Sequence, residues 1–166
     1  MEGSVLEPKL LPAYSRRRAY RGDPGVYRDS GREAMNRAVK CRIEPNIAQQ
    51  ELFEKTFGSC RFLYNRMLAD RKLSELTGER KVIRPAEYKK EYPWLREVDS
   101  LALCNVQLDL EAAIRDSKRI KGRGCPGYKS KHHSRRSYTT NVVNGNIRID
   151  GKKIRLPKIG MVRIKL

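Results

Sequence analysis

From residue 137 to the end, apolar side chains recur at every second position with Lys or Arg between them, as in NIRID, KKIRL and VRIKL. A period of two marks strands with one face in a core and the other in solvent. Ile147, Ile149, Ile154, Leu156, Val162 and Ile164 are expected to face inward, and Arg148, Lys153, Arg155, Arg163 and Lys165 outward. Asn144-Gly145 and Asp150-Gly151 carry the turn chemistry that joins antiparallel strands. SYTTNVV, NIRID, KKIRL and VRIKL are therefore expected as four short strands. A chain with this ending must fold around a sheet whose outer face is cationic.

Charge sharpens the point. The net charge is +18, and residues 115–166 hold sixteen Lys/Arg against two Asp/Glu, so +14 of it sits in the last third. Concentrated positive charge attracts a polyanion and releases its counterions. A lipid-binding patch is the alternative, but here the cations alternate with strand-forming residues instead of lining one amphipathic helix. Nucleic acid is the expected partner; no small-molecule substrate is expected. No apolar run reaches the length of a membrane span and the first residues lack a signal-peptide core, so the chain is placed in the cytoplasm with no membrane partner. Cys41, Cys60, Cys104 and Cys125 form no C-x-x-C pair, and His132 and His133 are adjacent, so no metal site is expected. The cysteines read as reduced, mostly buried small residues.

Residues 1–34, rich in Gly, Pro, Arg and Tyr without periodicity, are expected to be disordered or a mis-assigned leader ahead of Met35. From Met35 the pattern becomes regular. Val39, Cys41 and Ile43 alternate with Lys40 and Arg42 as a half-buried strand. Asn46 with Gln49 three residues on forms a capping box at a helix start. Leu52, Phe53 and Phe57 make its stripe, Gly58 is expected to break it, and Phe62, Leu63, Tyr64, Met67 and Leu68 mark a second helix. Such a pair fits a helix-turn-helix and an ordinary helical hairpin equally well. Pro85 opens a short helix that Pro93 stops. Ser100 is expected to cap the longest helix, to about Ile120, with Leu101, Cys104, Leu108 and Ala112 as its stripe and Leu103, Val106, Leu110 and Ile114 widening it. The fold class is α+β: a basic, barrel-like sheet domain (35–45 and 121–166) interrupted by a helical insertion (46–120), with the helix-turn-helix-like pair at 46–70.

Pro45, Asn46, Gln49, Gly58, Arg61, Phe62, Tyr64 and Asn65 then line up with a known pattern. RIEPNIAQQELFEKTFGSCRFLYN at 42–65 resembles the opening of the OrfB/TnpB proteins of insertion sequences, with Glu44 in place of the usual Tyr. WLREVDSLALCN (94–105), GYKSK (127–131), SYTT (137–140) and IRLPKIGMVRI (154–164) follow in the same order. The resemblance covers nearly all of residues 36–166. It implies a wedge-type barrel interrupted by a helical recognition domain, in a family of RNA-guided DNA endonucleases long described as transposases. It also implies DNA and structured guide RNA as partners. The family's RuvC-like nuclease domain, with magnesium-binding carboxylates and a zinc element, is expected C-terminal to the matched region and absent from this chain. After Glu111 only Asp116 and Asp150 remain as carboxylates, too few for two-metal cleavage, so no catalytic residue and no cofactor is assigned.

Lys129, Lys131, His132, Arg135 and Arg136 form a basic loop suited to phosphates. Tyr138, Thr139 and Thr140 offer hydroxyls, although Tyr138 equally fits a packing role. By the resemblance, the Asn144 turn and the helix start at Ser100, Leu101, Cys104 and Asn105 face a short DNA motif; Leu101 and Cys104 read equally well as core. The leading expectation is a nucleic-acid-binding, nuclease-less N-terminal piece of an OrfB/TnpB-like protein. The alternative is a stand-alone helix-turn-helix DNA-binding regulator.

Overall fold

The computed structural model describes residues 40–79 and 83–165. The expectations for residues 1–34, for Met35 and for Val39 lie outside the described residues. Strand β1 (Arg42–Glu44) is followed by helix α1 (Ile47–Thr77), helix α2 (Pro85–Glu91), a 3-10 turn at Pro93–Arg96 and helix α3 (Ser100–Arg119). Strands β2 (Arg148–Asp150), β3 (Lys153–Leu156) and β4 (Gly160–Lys165) close the order. The protein is thus α+β, with an antiparallel sheet ordered β1-β4-β3-β2.

β1 reaches across the helices in sequence to pair with β4, Ile43 opposite Ile164. The sheet is open, not a closed barrel. Its four strands are three to six residues long, and its edges, β1 and β2, pair on one side only; side-chain-filled barrels typically need about eight strands. The expected strand at SYTTNVV joins no ladder. Its polar groups are met otherwise: the Thr139 carbonyl accepts from Asn105 Nδ2 at 3.1 Å, and Asn146 Oδ1 accepts from the Val143 N–H at 2.7 Å. The turn chemistry itself holds. Asn144 and Gly145 both adopt positive φ (51° and 68°), and the Asn146 N–H donates to the Val143 carbonyl at 3.1 Å.

The capping box forms as expected. Asn46 Oδ1 accepts from the Gln49 N–H at 2.8 Å, and Gln49 Oε1 accepts from the Asn46 N–H at 3.1 Å. Gln49 Nε2 also donates to the Met161 carbonyl at 2.8 Å, tying the helix start to β4. Gly58 does not break α1. Buried Phe53, Phe57, Cys60, Tyr64 and Met67 form an unbroken i, i+3/i+4 stripe through it, and a helical Gly costs only about 0.5–1 kcal/mol against Ala, less than one buried side chain contributes. The turn after α1 falls at Gly78, left-handed at φ 75°, whose N–H donates to the Ser74 carbonyl at 3.1 Å.

Two clusters form the core, and α1 belongs to both. Phe53 and Phe57 cover Ile154, Val162 and Ile164 of the sheet and Ile159 of the β3–β4 turn. Further along, Leu63, Met67 and Leu68 pack with Tyr88, Leu95 and Leu103. Tyr138 sits between the clusters, 6.3 Å from the Phe53 ring and 6.0 Å from Phe57.

Several expected details shift. Pro85 takes the first turn of α2, but Pro93 opens the 3-10 turn as well as ending that helix. Asp99, not Ser100, caps α3, its Oδ1 accepting from the Leu101 N–H at 3.1 Å. Ala102, Leu103, Val106 and Leu110 are the buried face of α3, whereas Cys104 and Leu108 are exposed. Ile149 shares the inward side of the sheet by its register with Ile154, yet is 59% exposed, because the edge strand β2 lies outside the cluster that α1 covers. Of the cysteines only Cys60 is buried; Cys41 is half-buried, and Cys104 and Cys125 are exposed.

Candidate nucleic-acid interface

The sheet register brings like charges together. On its outer face Arg42 lies opposite Lys165, Lys153 opposite Arg163, and Arg148 opposite Arg155. All six are exposed. Like charges directly opposite one another destabilise a sheet, so this arrangement opposes folding and favours an anion. Two carboxylates share the face: Glu44 opposite Arg163 and Asp150 opposite Lys153. Alternation alone gives the outward direction of the β2–β4 cations. Their pairing across strands depends on the register, and sequence reasoning left them out of the candidate site.

The connector from Lys129 to Thr139 is held against the helices. Asn65 binds the Lys129 backbone both ways, Nδ2 donating to its carbonyl at 2.8 Å and Oδ1 accepting from its N–H at 2.7 Å. The Lys129 ammonium stands 3.9 Å above the Tyr64 ring centroid, a cation–π contact. Tyr64, expected on a helix's packing stripe and buried in the helical core, and Asn65 both carry the resemblance in the sequence, and their contacts hold this connector in place.

Of the predicted site residues, Asn105, Lys129, Arg135, Arg136, Tyr138 and Thr139 line one cleft, while the others lie elsewhere. Lys131, His132 and Arg135 are exposed on the connector, while Arg136 is engaged with Glu54 at 3.1 Å. Tyr138 packs between the two cores, and burial pushes its hydroxyl pKa upward. The Thr140 hydroxyl donates to Asp99 Oδ2, the second oxygen of the α3 cap. Thr139 contributes its carbonyl to Asn105. Ser100 Oγ accepts from Lys89 Nζ at 2.7 Å. Leu101 is half-buried and Cys104 exposed, so neither is core. Asn144 stands exposed at its turn.

α1, α3 and the connector together enclose a cleft of about 270 Å³. Asp109 and Lys129 both line it. Burial raises the Asp109 pKa, with Lys129 acting in the opposite direction, and burial lowers the Lys129 pKa against the pull of Asp109. Cys60 also lines the cleft, and burial pushes its thiol up to about 12, so it stays protonated and is neither a nucleophile nor a ready metal ligand. Among the described residues no three His, Cys, Asp or Glu side chains lie close enough to hold a metal ion, and no helix is long and apolar enough to cross a membrane.

A cationic sheet beside a bundle of helices defines a class, and comparison with known proteins agrees. Residues 35–74 match the helix-turn-helix domain of the OrfB/IS605 family, which marks the chain as a nucleic-acid-binding protein. It is also 30% identical to the virulence protein VsdF of Salmonella dublin, over 59% of this chain and 96% of that protein. The chain belongs to the OrfB/TnpB family of insertion-sequence proteins and corresponds to its N-terminal part. The matched stretch spans β1 and most of the unbroken α1, so the turn between helices comes after it, at Gly78.

Proposed function

We propose that the chain holds a nucleic-acid backbone across the outer face of its sheet, with the exposed connector cations extending the contact. The observation that carries this reading is the set of three like-charged cross-strand pairs. Phosphates in register with those pairs offset a repulsion that water alone leaves in place. Lys131, His132 and Arg135 lie on the exposed connector and add charge without sequence readout.

Within the family's activity, RNA-guided DNA cleavage linked to insertion-sequence transposition, the share we assign to these residues is binding: gripping structured guide RNA and target DNA. A regulator reading DNA through a helix-turn-helix at 46–70 is disfavoured, because α1 runs unbroken through that stretch. Fluorescence anisotropy of labelled duplex DNA and structured RNA across a salt series tests the proposal. Six phosphate contacts give a slope of log affinity on log salt of about −5 for duplex DNA. Affinity that does not change with salt overturns it.

A further inference from the structure

The cleft between α1, α3 and the connector gathers acceptors and guanidinium groups over an apolar floor. Asn105 Nδ2 donates to the carbonyls of Leu101 and Thr139, at 3.0 and 3.1 Å, so its hydrogens are used and Oδ1 remains an acceptor with no donor among the described residues. One helical turn on, the exposed Asp109 carboxylate makes no hydrogen bond among the described residues, and the Lys129 ammonium acts on it across the cleft. Arg61 and Arg135 line the same space and have no carboxylate partner among the described residues. Phe57, Cys60 and Val106 are buried and give the cleft an apolar floor, and Tyr138 adds an aromatic wall. A few convergent acceptors and donors around an apolar floor are the arrangement that holds and orients a small ligand.

The composition specifies that ligand. An apolar and aromatic lining suits a flat heterocycle. Two acceptors four residues apart on one helix, Asn105 Oδ1 and the Asp109 carboxylate, suit an edge that presents hydrogen-bond donors. Guanidinium groups suit the phosphates that flank it. At about 270 Å³ the space falls just below the roughly 300–1,000 Å³ of pockets that engulf drug-sized molecules, so it takes one base and not a run of nucleotides. We propose that this cleft receives a single unpaired nucleobase bearing an exocyclic amine, with Asn105 and Asp109 accepting from that amine and Arg61 and Arg135 engaging the flanking phosphates. Thymine and uracil carry no such amine and are disfavoured. This inference rests on the nucleic-acid reading but concerns a different surface from the sheet face.

The test compares short labelled homopolymers of equal length, cytidylate against thymidylate as DNA and cytidylate against uridylate as RNA, bound to the full chain at one salt concentration. Phosphate count is equal within each comparison, so the affinity ratio isolates the base. The expected ratio is roughly tenfold in favour of cytosine, and the sugar giving the larger ratio identifies the strand. Asp109→Asn brings the ratio to within about twofold, because the amide gives up the charge and one acceptor. Ser137→Trp, placed at the exposed mouth of the cleft, fills it and drives the ratio towards one. A wild-type ratio of one with salt-dependent binding intact overturns the base pocket and leaves the sheet reading standing. A ratio equal in wild type and Asp109→Asn overturns the assigned acceptors. Absence of binding to every strand at low salt overturns both.

Discussion

The helical block and the sheet treat charge in opposite ways. In the helices, cations sit beside carboxylates: Lys55 with Glu97 at 3.2 Å, Lys90 with Glu87 at 2.9 Å, Arg71 with Glu75 at 3.8 Å, and Arg66 with Glu91 at 3.5 Å. Inside the block, buried Asp70 accepts from the Tyr88 hydroxyl at 2.7 Å and faces Arg66 Nε at 3.8 Å. On the sheet, cation faces cation in three pairs, of which only Lys153–Arg163 is flanked by carboxylates, Glu44 and Asp150. Exposed ion pairs contribute little individually, about 0–1 kcal/mol, so the contrast is not chiefly one of stability. It separates a part whose surface is internally neutralised from a part whose surface is left for a polyanion to neutralise.

That division can be broken in several places. Leu103 is fully buried in the helical cluster, and Leu103→Ala is expected to cost about 2–5 kcal/mol in urea unfolding. Ile149→Ala, on the exposed sheet edge, is expected to change stability by about 0.5 kcal/mol or less. Comparable losses at both sites would contradict the division between a packed block and a thin sheet edge.

Alkaline pH gives the next effect. The Cys60 thiol is raised by burial from 9.0 to about 12. The fold keeps its proton while the unfolded chain ionises, so this contribution is fully present below 9.0 and is lost as pH rises towards about 12. The stability difference between wild type and Cys60→Ala therefore shifts by about 1.4 kcal/mol per pH unit across that window. A parallel pH dependence in the two proteins would place the thiol in water.

Gly58→Ala is expected to stabilise by about 0.5–1 kcal/mol, because α1 is continuous there and an added Cβ meets nothing within 4 Å. A loss of stability would restore the turn that the sequence pattern points to. Glu54→Gln removes the carboxylate held by Arg136 at 3.1 Å. It is expected to cost under about 1 kcal/mol while strengthening nucleic-acid binding slightly, since one more guanidinium is released to the connector surface.

Much of the fold was legible because its signals are local. The Asn46/Gln49 box, the Pro85 start and the Asn144-Gly145 turn all formed where chain chemistry placed them. The misreadings share a cause: long-range packing outweighed a local preference. Gly58 reads as a breaker until the Phe53–Met67 stripe requires a straight helix through it. SYTTNVV reads as a strand until Asn105, Asp99 and Asn146 take its polar groups. Leu101, Cys104 and Leu108 read as the core face of α3 until the packing rotates that helix towards Leu103 and Val106. The candidate site was legible in its charge and not in its pairing. Outward Arg and Lys follow from a period of two, but which cation faces which depends on the β1–β4 and β2–β3 registers, and the cleft joins residues from three separate stretches.

The most direct test replaces one like-charged pair and reads folding and binding together. In the double variant Arg148→Gln, Arg155→Gln, unfolding stability is expected to hold or rise by about 0.2–1 kcal/mol as the repulsion is relieved. The slope of log affinity for duplex DNA on log salt is expected to become shallower by about 1.8. An unchanged salt slope, or a slope that falls only because the variant is less stable, would contradict the assignment of the sheet face to a nucleic-acid backbone.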